Sequence, residues 1–123
     1  MAARDWYCED VLSGELNVDR LYEDDRVIAF HHPYPSARPH VVVIPKAHVA
    51  SLLAPEALDG NLLASMIAAV QQAAAKVGLD EGDGFYVRAN AATPGVTPHM
   101  HWHLLPGAGS NWPELPDAPR RSR

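Results

Sequence analysis

One cysteine, Cys8, stands in a chain of 123 residues. No disulfide can form within the chain, and no CxxC pair is available for redox chemistry or a two-thiolate metal corner. No apolar run approaches the roughly 18 residues that a membrane helix needs. The opening residues, MAARDWYCED, hold no apolar signal core. Together these features predict a cytoplasmic protein that does not associate with membranes. Positive charge is also in short supply, the formal net charge being −5 with histidines neutral. Without a basic surface, nucleic-acid binding is not expected. A local pocket on an acidic protein can still attract a small anion. The one basic run, RRSR at the C-terminal end, reads as a solvated tail.

The remaining composition is that of an ordinary globular domain, long enough to bury one core without staples. Residues 1–5 read as frayed. WYCEDVLSGEL reads as a short helix ending near Gly14. DRLYED, RVIAFHH and HVVVIPK read as three strands, rich in β-branched residues. The EDD at 23–25 supplies turn chemistry, and the three prolines of PYPSARP mark a loop. SLLAP suits one helical turn. Leu62, Met66, Val70, Ala73 and Val77 recur at spacings of three and four, which predicts one long amphipathic helix. Its start falls at Pro55 or at Asn61, since Gly60 weakens the first turns; Asn61 is a candidate N-cap and Gly78 a candidate C-cap, with Lys76 in the last turn. FYVRANA and HMHWHLLP supply two more strands, joined by the loop ATPGVTP. The order is helix, three strands, long helix, two strands, in an α+β domain with antiparallel pairing. One domain spans 1–123, with its core at about 5–113 and a flexible tail over 114–123.

PHMHWHLLPG places His99, His101 and His103 at alternate positions. On a strand, alternation puts the three imidazoles on one face and Met100, Trp102 and Leu104 on the other. Three readings are open. A metal site needs orienting carboxylates, and the nearest acidic residue downstream is Glu114. The outer two histidines would also stand about 13 Å apart, too far to share one ion. A polar strand face would need hydrogen-bond partners for each buried ring. Phosphoryl chemistry needs a neutral imidazole nucleophile, a second imidazole to anchor phosphate oxygens and a third to set a tautomer.

The combination resembles the histidine triad (HIT) family, and its Hint-like branch in particular. HMHWHLLPG is similar to the triad signature. LYEDDRVIAFHHPYPSARPHVVVIPKAHV is similar to the family's N-terminal half, NLLASMIAAVQQAAAKVGL to its helix, and YVRANA to the strand that carries an asparagine. The resemblance covers roughly residues 5–113. It implies a five-stranded antiparallel sheet with one long helix and a short N-terminal helix, paired into a homodimer. It implies a nucleotide hydrolase acting on a purine (AMP-like) nucleotide at the α-phosphate, of phosphoramidase or dinucleoside polyphosphate hydrolase type. His101 is then the nucleophile, forming a nucleotidyl-histidine intermediate. His103 contacts phosphate, and His99 with His40 forms a supporting relay. Asn90, Gly95 and Thr97 contact the phosphate or sugar, and Trp112 closes one edge of the site. Phe30, Ile28 and Trp6 are candidates to line a base pocket, with core packing the alternative for Phe30 and Ile28. The third histidine favours hydrolysis over transfer, and no cofactor is needed.

Three departures accompany the resemblance. His32 stands where relatives carry an aspartate that holds ribose hydroxyls. The loop before the triad is short and has no glutamine. Several bacterial relatives hold a structural zinc through CxxC, the histidine of PKxH and the first triad histidine. With Cys8 alone, no metal site of that type is expected here, and His48 reads as a packing or surface residue. Two rival classes stay open: a nucleotide-binding sensor or scaffold with little turnover, and a metal-dependent protein of the cupin type.

Overall fold

The computed structural model describes residues 4–89, 91 and 96–107. A π-helical turn at Tyr7–Leu12 leads into strands β1 (Arg20–Glu23), β2 (Val27–His31) and β3 (Val41–Pro45). A 3-10 turn at Pro55–Leu58 precedes helix α1 (Gly60–Val77), and β4 (Phe85–Ala89) and β5 (Trp102–Pro106) complete the domain. The five strands form one sheet in the order β1-β2-β3-β5-β4, with each described pair antiparallel. The α+β architecture expected from the sequence is the one observed. A five-stranded sheet carrying one long helix is not the β-barrel of a cupin.

The central strands are apolar at nearly every position because both faces of the sheet are covered. On one face, Val27, Ala29, Val41, Val43 and Leu104 meet Leu62, Met66, Ala69, Val70 and Ala73 of α1. On the other, Ile28, Phe30, Val42 and Ile44 pack with Tyr7 and Val11 of the N-terminal turn. The second layer is smaller, so it leaves part of its face open near the end of β2 and the start of β3. Met100 and Trp102 pack on the α1 face, which places the alternating histidines on the opposite face.

Local boundaries differ from the sequence reading in several places: the N-terminal turn ends at Leu12, and the turn expected over SLLAP falls at Pro55–Leu58. Helix α1 starts at Gly60, and its N-cap is Asp59, whose side chain accepts the N–H groups of Asn61 and Leu62. An aspartate oxygen satisfies two unpaired donors of the first turn there, and that offsets the cost of Gly60 in the helix. The last strand begins at Trp102, after His99 and His101. The N–H of His99 instead turns back to Thr97 O at 2.8 Å, and that of Met100 bonds Val49 O at 2.6 Å. Gly78 caps the end of α1 with φ 77°, as its position suggested.

Candidate active site

Three neighbouring strands deliver imidazoles to one open face. His32 follows the end of β2, two residues after buried Phe30. His40 precedes β3, two residues before buried Val42. His103 lies on β5 directly opposite Val42. Period-2 alternation sends all three to the face of the N-terminal turn. Their rings converge: His32 stacks on His40 at 4.4 Å between centroids, and His40 stands 5.0 Å from His103. His101 adds a fourth ring, 5.0 Å from His103 and edge-on to it.

The tautomers follow from fixed donors and acceptors. The N–H of Ser36 donates to His40 Nδ1 at 3.0 Å, so the His40 proton sits on Nε2. That Nε2–H donates to His103 Nδ1 at 2.8 Å, which leaves the His103 proton on Nε2. His101 donates Nδ1–H to the carbonyl of His99 at 2.5 Å, so its Nε2 keeps the lone pair. Burial keeps these rings neutral. It lowers His32 and His40 to about 4, helped at His40 by the His32 charge. His103 falls to about 3, through burial and then the neighbouring histidines and Arg88. Burial also lowers His101, partly opposed by its bond to His99.

His101 and His103 open onto a cleft of about 530 Å³, lined also by Trp6, Tyr7, Leu16, His32, Tyr34, Val96, Thr97 and the Arg4–Asp10 pair. The cleft brings together His101, His103, His32 and Thr97, with His40 behind His103. Trp6 lines it too, 5.8 Å from His32 and stacked on Tyr7 at 4.1 Å. Phe30 does not line it: the ring is fully buried behind Tyr7, because an inward position on a covered strand belongs to the core. Asn90, Gly95 and Trp112 lie outside the described residues. Arg4, Tyr7, Asp10, Leu16 and Tyr34 were not singled out from the sequence, since nothing local marks loop and turn residues as cleft walls. Lys46 pairs with Glu23 at 2.7 Å and turns away from the cleft.

His99 takes a different part from the one expected. Its ring is fully buried beneath the cleft, and it supports His101 through its backbone carbonyl rather than its imidazole. The ring donates Nε2–H to Pro45 O at 2.8 Å. Its Nδ1 lone pair therefore faces Asp5 Oδ2 at 3.1 Å and Cys8 Sγ at 3.3 Å. His48 Nδ1 joins them, 2.7 Å from Asp5 Oδ2 and 3.8 Å from Cys8 Sγ. Burial raises Asp5, but hydrogen bonds from Cys8, and from His99 when its Nδ1 carries a proton, outweigh it and hold the carboxyl below its usual range. Burial and Asp5 push the Cys8 thiol up to about 11.

A lone pair aimed at a carboxylate oxygen calls for a cation between them, either a proton or a metal ion. The four ligand atoms of Asp5, Cys8, His48 and His99 lie within 4.8 Å of one another. One sulfur, two imidazole nitrogens and one carboxylate oxygen fit a tetrahedral zinc-like ion. The expectation of no metal site rested on Cys8 standing alone. Asp5, read as frayed, supplies the fourth donor one turn ahead of it. The signal was present as D-x-x-C, with the other two donors 40 and 91 residues beyond Cys8.

His32, His40 and His103 also cluster within metal-binding distance. There the chemistry does not fit. Nδ1 of His32 accepts Tyr34 N–H and Nδ1 of His40 accepts Ser36 N–H, so each neutral ring keeps a proton on Nε2 and has no lone pair to offer there. This set is a hydrogen-bond relay.

A sheet presenting a relayed imidazole row to an open cleft defines the class of histidine-triad folds. The model of the HIT domain family matches residues 13–110, and the chain belongs to that family. It is 36% identical over 103 residues to an uncharacterized HIT-like protein of Synechococcus elongatus, covering 84% of this chain and 90% of that one. It is 32% identical to the 14 kDa zinc-binding protein of Brassica juncea, covering 84% and 93% of the two chains. Among solved structures, a histidine triad protein from Clostridium difficile superposes with a TM-score of 0.73 at 31% identity, covering 89% of this chain and 94% of that one. A HIT family hydrolase from Legionella pneumophila gives a TM-score of 0.73 at 31% identity, with 87% and 96% covered. Among the described residues, no helix is long and apolar enough to cross a membrane.

Proposed function

We propose that this protein hydrolyses nucleotides, releasing a nucleoside 5′-monophosphate from an amine, acyl or phosphate leaving group. The observation that carries the reading is the bond from His101 Nδ1–H to the His99 carbonyl, which leaves Nε2 unprotonated beside the cleft. The Nε2 lone pair attacks the α-phosphorus and forms a P–N bond. The bond to the leaving group breaks, and that group departs with a proton from water. His103 donates Nε2–H to a phosphate oxygen, where charge builds up. The His99 carbonyl holds the imidazolium that the P–N bond creates. Water then attacks phosphorus, the P–N bond breaks, and its electron pair returns to Nε2.

The residues Asp5, Cys8, His48 and His99 would hold a divalent transition metal. Four protein donors leave no open position, so such an ion would act as a structural clamp. A homodimer forms through the β4 edge, supported by β4 being an outer strand of the sheet, bonded on one side to β5, with Tyr86 and Val87 59% and 46% exposed. Thr97 and the short loop before it serve the phosphate, and the ligand is a purine nucleotide of the AMP type in the cytoplasm.

AMP release from adenosine 5′-phosphoramidate tests the reading. The wild type is expected to release AMP, and an alkaline denaturing quench, under which a histidine P–N bond survives, is expected to trap an adenylyl group on the chain. His101→Ala should lose both. Equal rates in the two proteins would remove His101 as nucleophile.

A further inference from the structure

The clamp and the cleft share a wall. Trp6 and Tyr7 are the two residues between Asp5 and Cys8 in sequence, and both line the cleft. Asp5 and Cys8 therefore pin both ends of the segment that presents these two rings. Tyr7 in turn stands 5.1 Å from the His101 ring. A second link runs through His99. Its side chain belongs to the Asp5, Cys8 and His48 set, while its backbone carbonyl orients His101. One cluster thus holds one wall of the cleft and the support of its nucleophile.

We propose that a divalent transition metal at Asp5, Cys8, His48 and His99 and a nucleotide in the cleft bind with mutual positive coupling. The proposal rests on the nucleotide reading above. Its physical basis is an ordering cost met once. Without a cation, metal ion or proton, the Asp5 carboxylate faces the lone pair of a buried ring, a repulsive contact at the start of the 5–8 segment. With a metal ion, the four donors, already within 4.8 Å of one another, are bonded to one centre, and the 5–8 segment that carries Trp6 and Tyr7 is held at both ends before the nucleotide arrives. The nucleotide then no longer has to order them. By linkage, a nucleotide that holds Trp6 and Tyr7 in place must tighten metal binding by the same factor.

The test uses the full chain, stripped by a chelator and then dialysed, with Zn2+ alone and AMP alone as probes in calorimetry. One Zn2+ per chain is expected. AMP should bind about tenfold more tightly to the zinc form, and Zn2+ should gain about the same factor in saturating AMP. Asp5→Ala and the more exposed His48→Ala should both lose the ion and abolish the difference. Asp5→Cys, which returns an anionic donor, should restore both. Co2+ substitution should give a thiolate-to-cobalt absorption that Cys8→Ser removes.

Equal AMP affinity for zinc-loaded and stripped protein would overturn the coupling and leave the nucleotide reading standing. AMP binding with no Zn2+ uptake would overturn it too, and would make the cluster a proton-held ion-pair network. If neither form binds AMP while Zn2+ binds, the nucleotide reading fails and the coupling falls with it.

Discussion

His40 and His103, 63 residues apart in sequence, are joined by a 2.8 Å hydrogen bond from His40 Nε2 to His103 Nδ1. The bond is directional because Ser36 N–H already occupies His40 Nδ1. It leaves the remaining proton of His103 on Nε2, the nitrogen that the proposed reaction uses toward phosphate. His40→Ala should therefore lower kcat about tenfold, the loss of roughly one hydrogen bond's free energy at the transition state, with a smaller change in KM. Steady-state kinetics on the phosphoramidate check this. A change in KM alone would mean that the relay serves binding only.

The same rings make stability depend on acidity. Burial holds His32 and His40 at about 4 and His103 at about 3, against about 6.5 in an unfolded chain. Between pH 6.5 and those values the unfolded chain binds protons that the folded chain refuses. Stability is therefore full above 6.5, falls as the pH drops towards 4, and levels off below the folded values. Calorimetry should show Tm falling across that window, with less fall in a His40→Gln variant. A flat Tm from pH 7 to pH 4 would contradict the burial of these rings.

Asp59→Ala should remove the cap of α1, leaving the N–H groups of Asn61 and Leu62 without their acceptor. The expected cost is about 1 kcal/mol, read from urea unfolding. Asp59→Asn should recover most of it, since an amide oxygen can accept the same bonds.

Gly107→Ala should be destabilising for a backbone reason. A Cβ at that position would stand 2.5 Å from Asp83 O, and the N–H of Gly107 already donates to Gly84 O at 2.9 Å. Neither partner is a side chain that can swing away. A cost of about 1–3 kcal/mol is expected in denaturant unfolding. An unchanged midpoint would show that the turn between α1 and β4 adjusts freely.

Much of the fold was legible because its signals are local. VIAF and VVVI are short β-branched or apolar runs bounded by turn residues, and the apolar stripe of α1 repeats at helical spacing. Boundaries were less legible where two residues compete for one role. Asp59 and Asn61 are both good caps, and Asp59 prevails because its oxygen reaches two N–H groups. The strand start at His99 was misread because alternation continues through residues 99–101, while the hydrogen bonds there go to Thr97 and Val49.

The site divides in the same way. The sequence alone determined that His99, His101 and His103 alternate and that His40 precedes a strand. A period of two in a chain segment is a local property. Only the tertiary structure decided which nitrogen of each ring carries the proton, because the deciding donors and acceptors are backbone groups of Ser36, Tyr34, Pro45 and His99. It also decided that His99 turns down to Asp5, Cys8 and His48 while His101 and His103 face the cleft. Donors from three separate stretches of chain meet there because the sheet and the N-terminal turn pack over one core, and no spacing along the chain encodes that meeting.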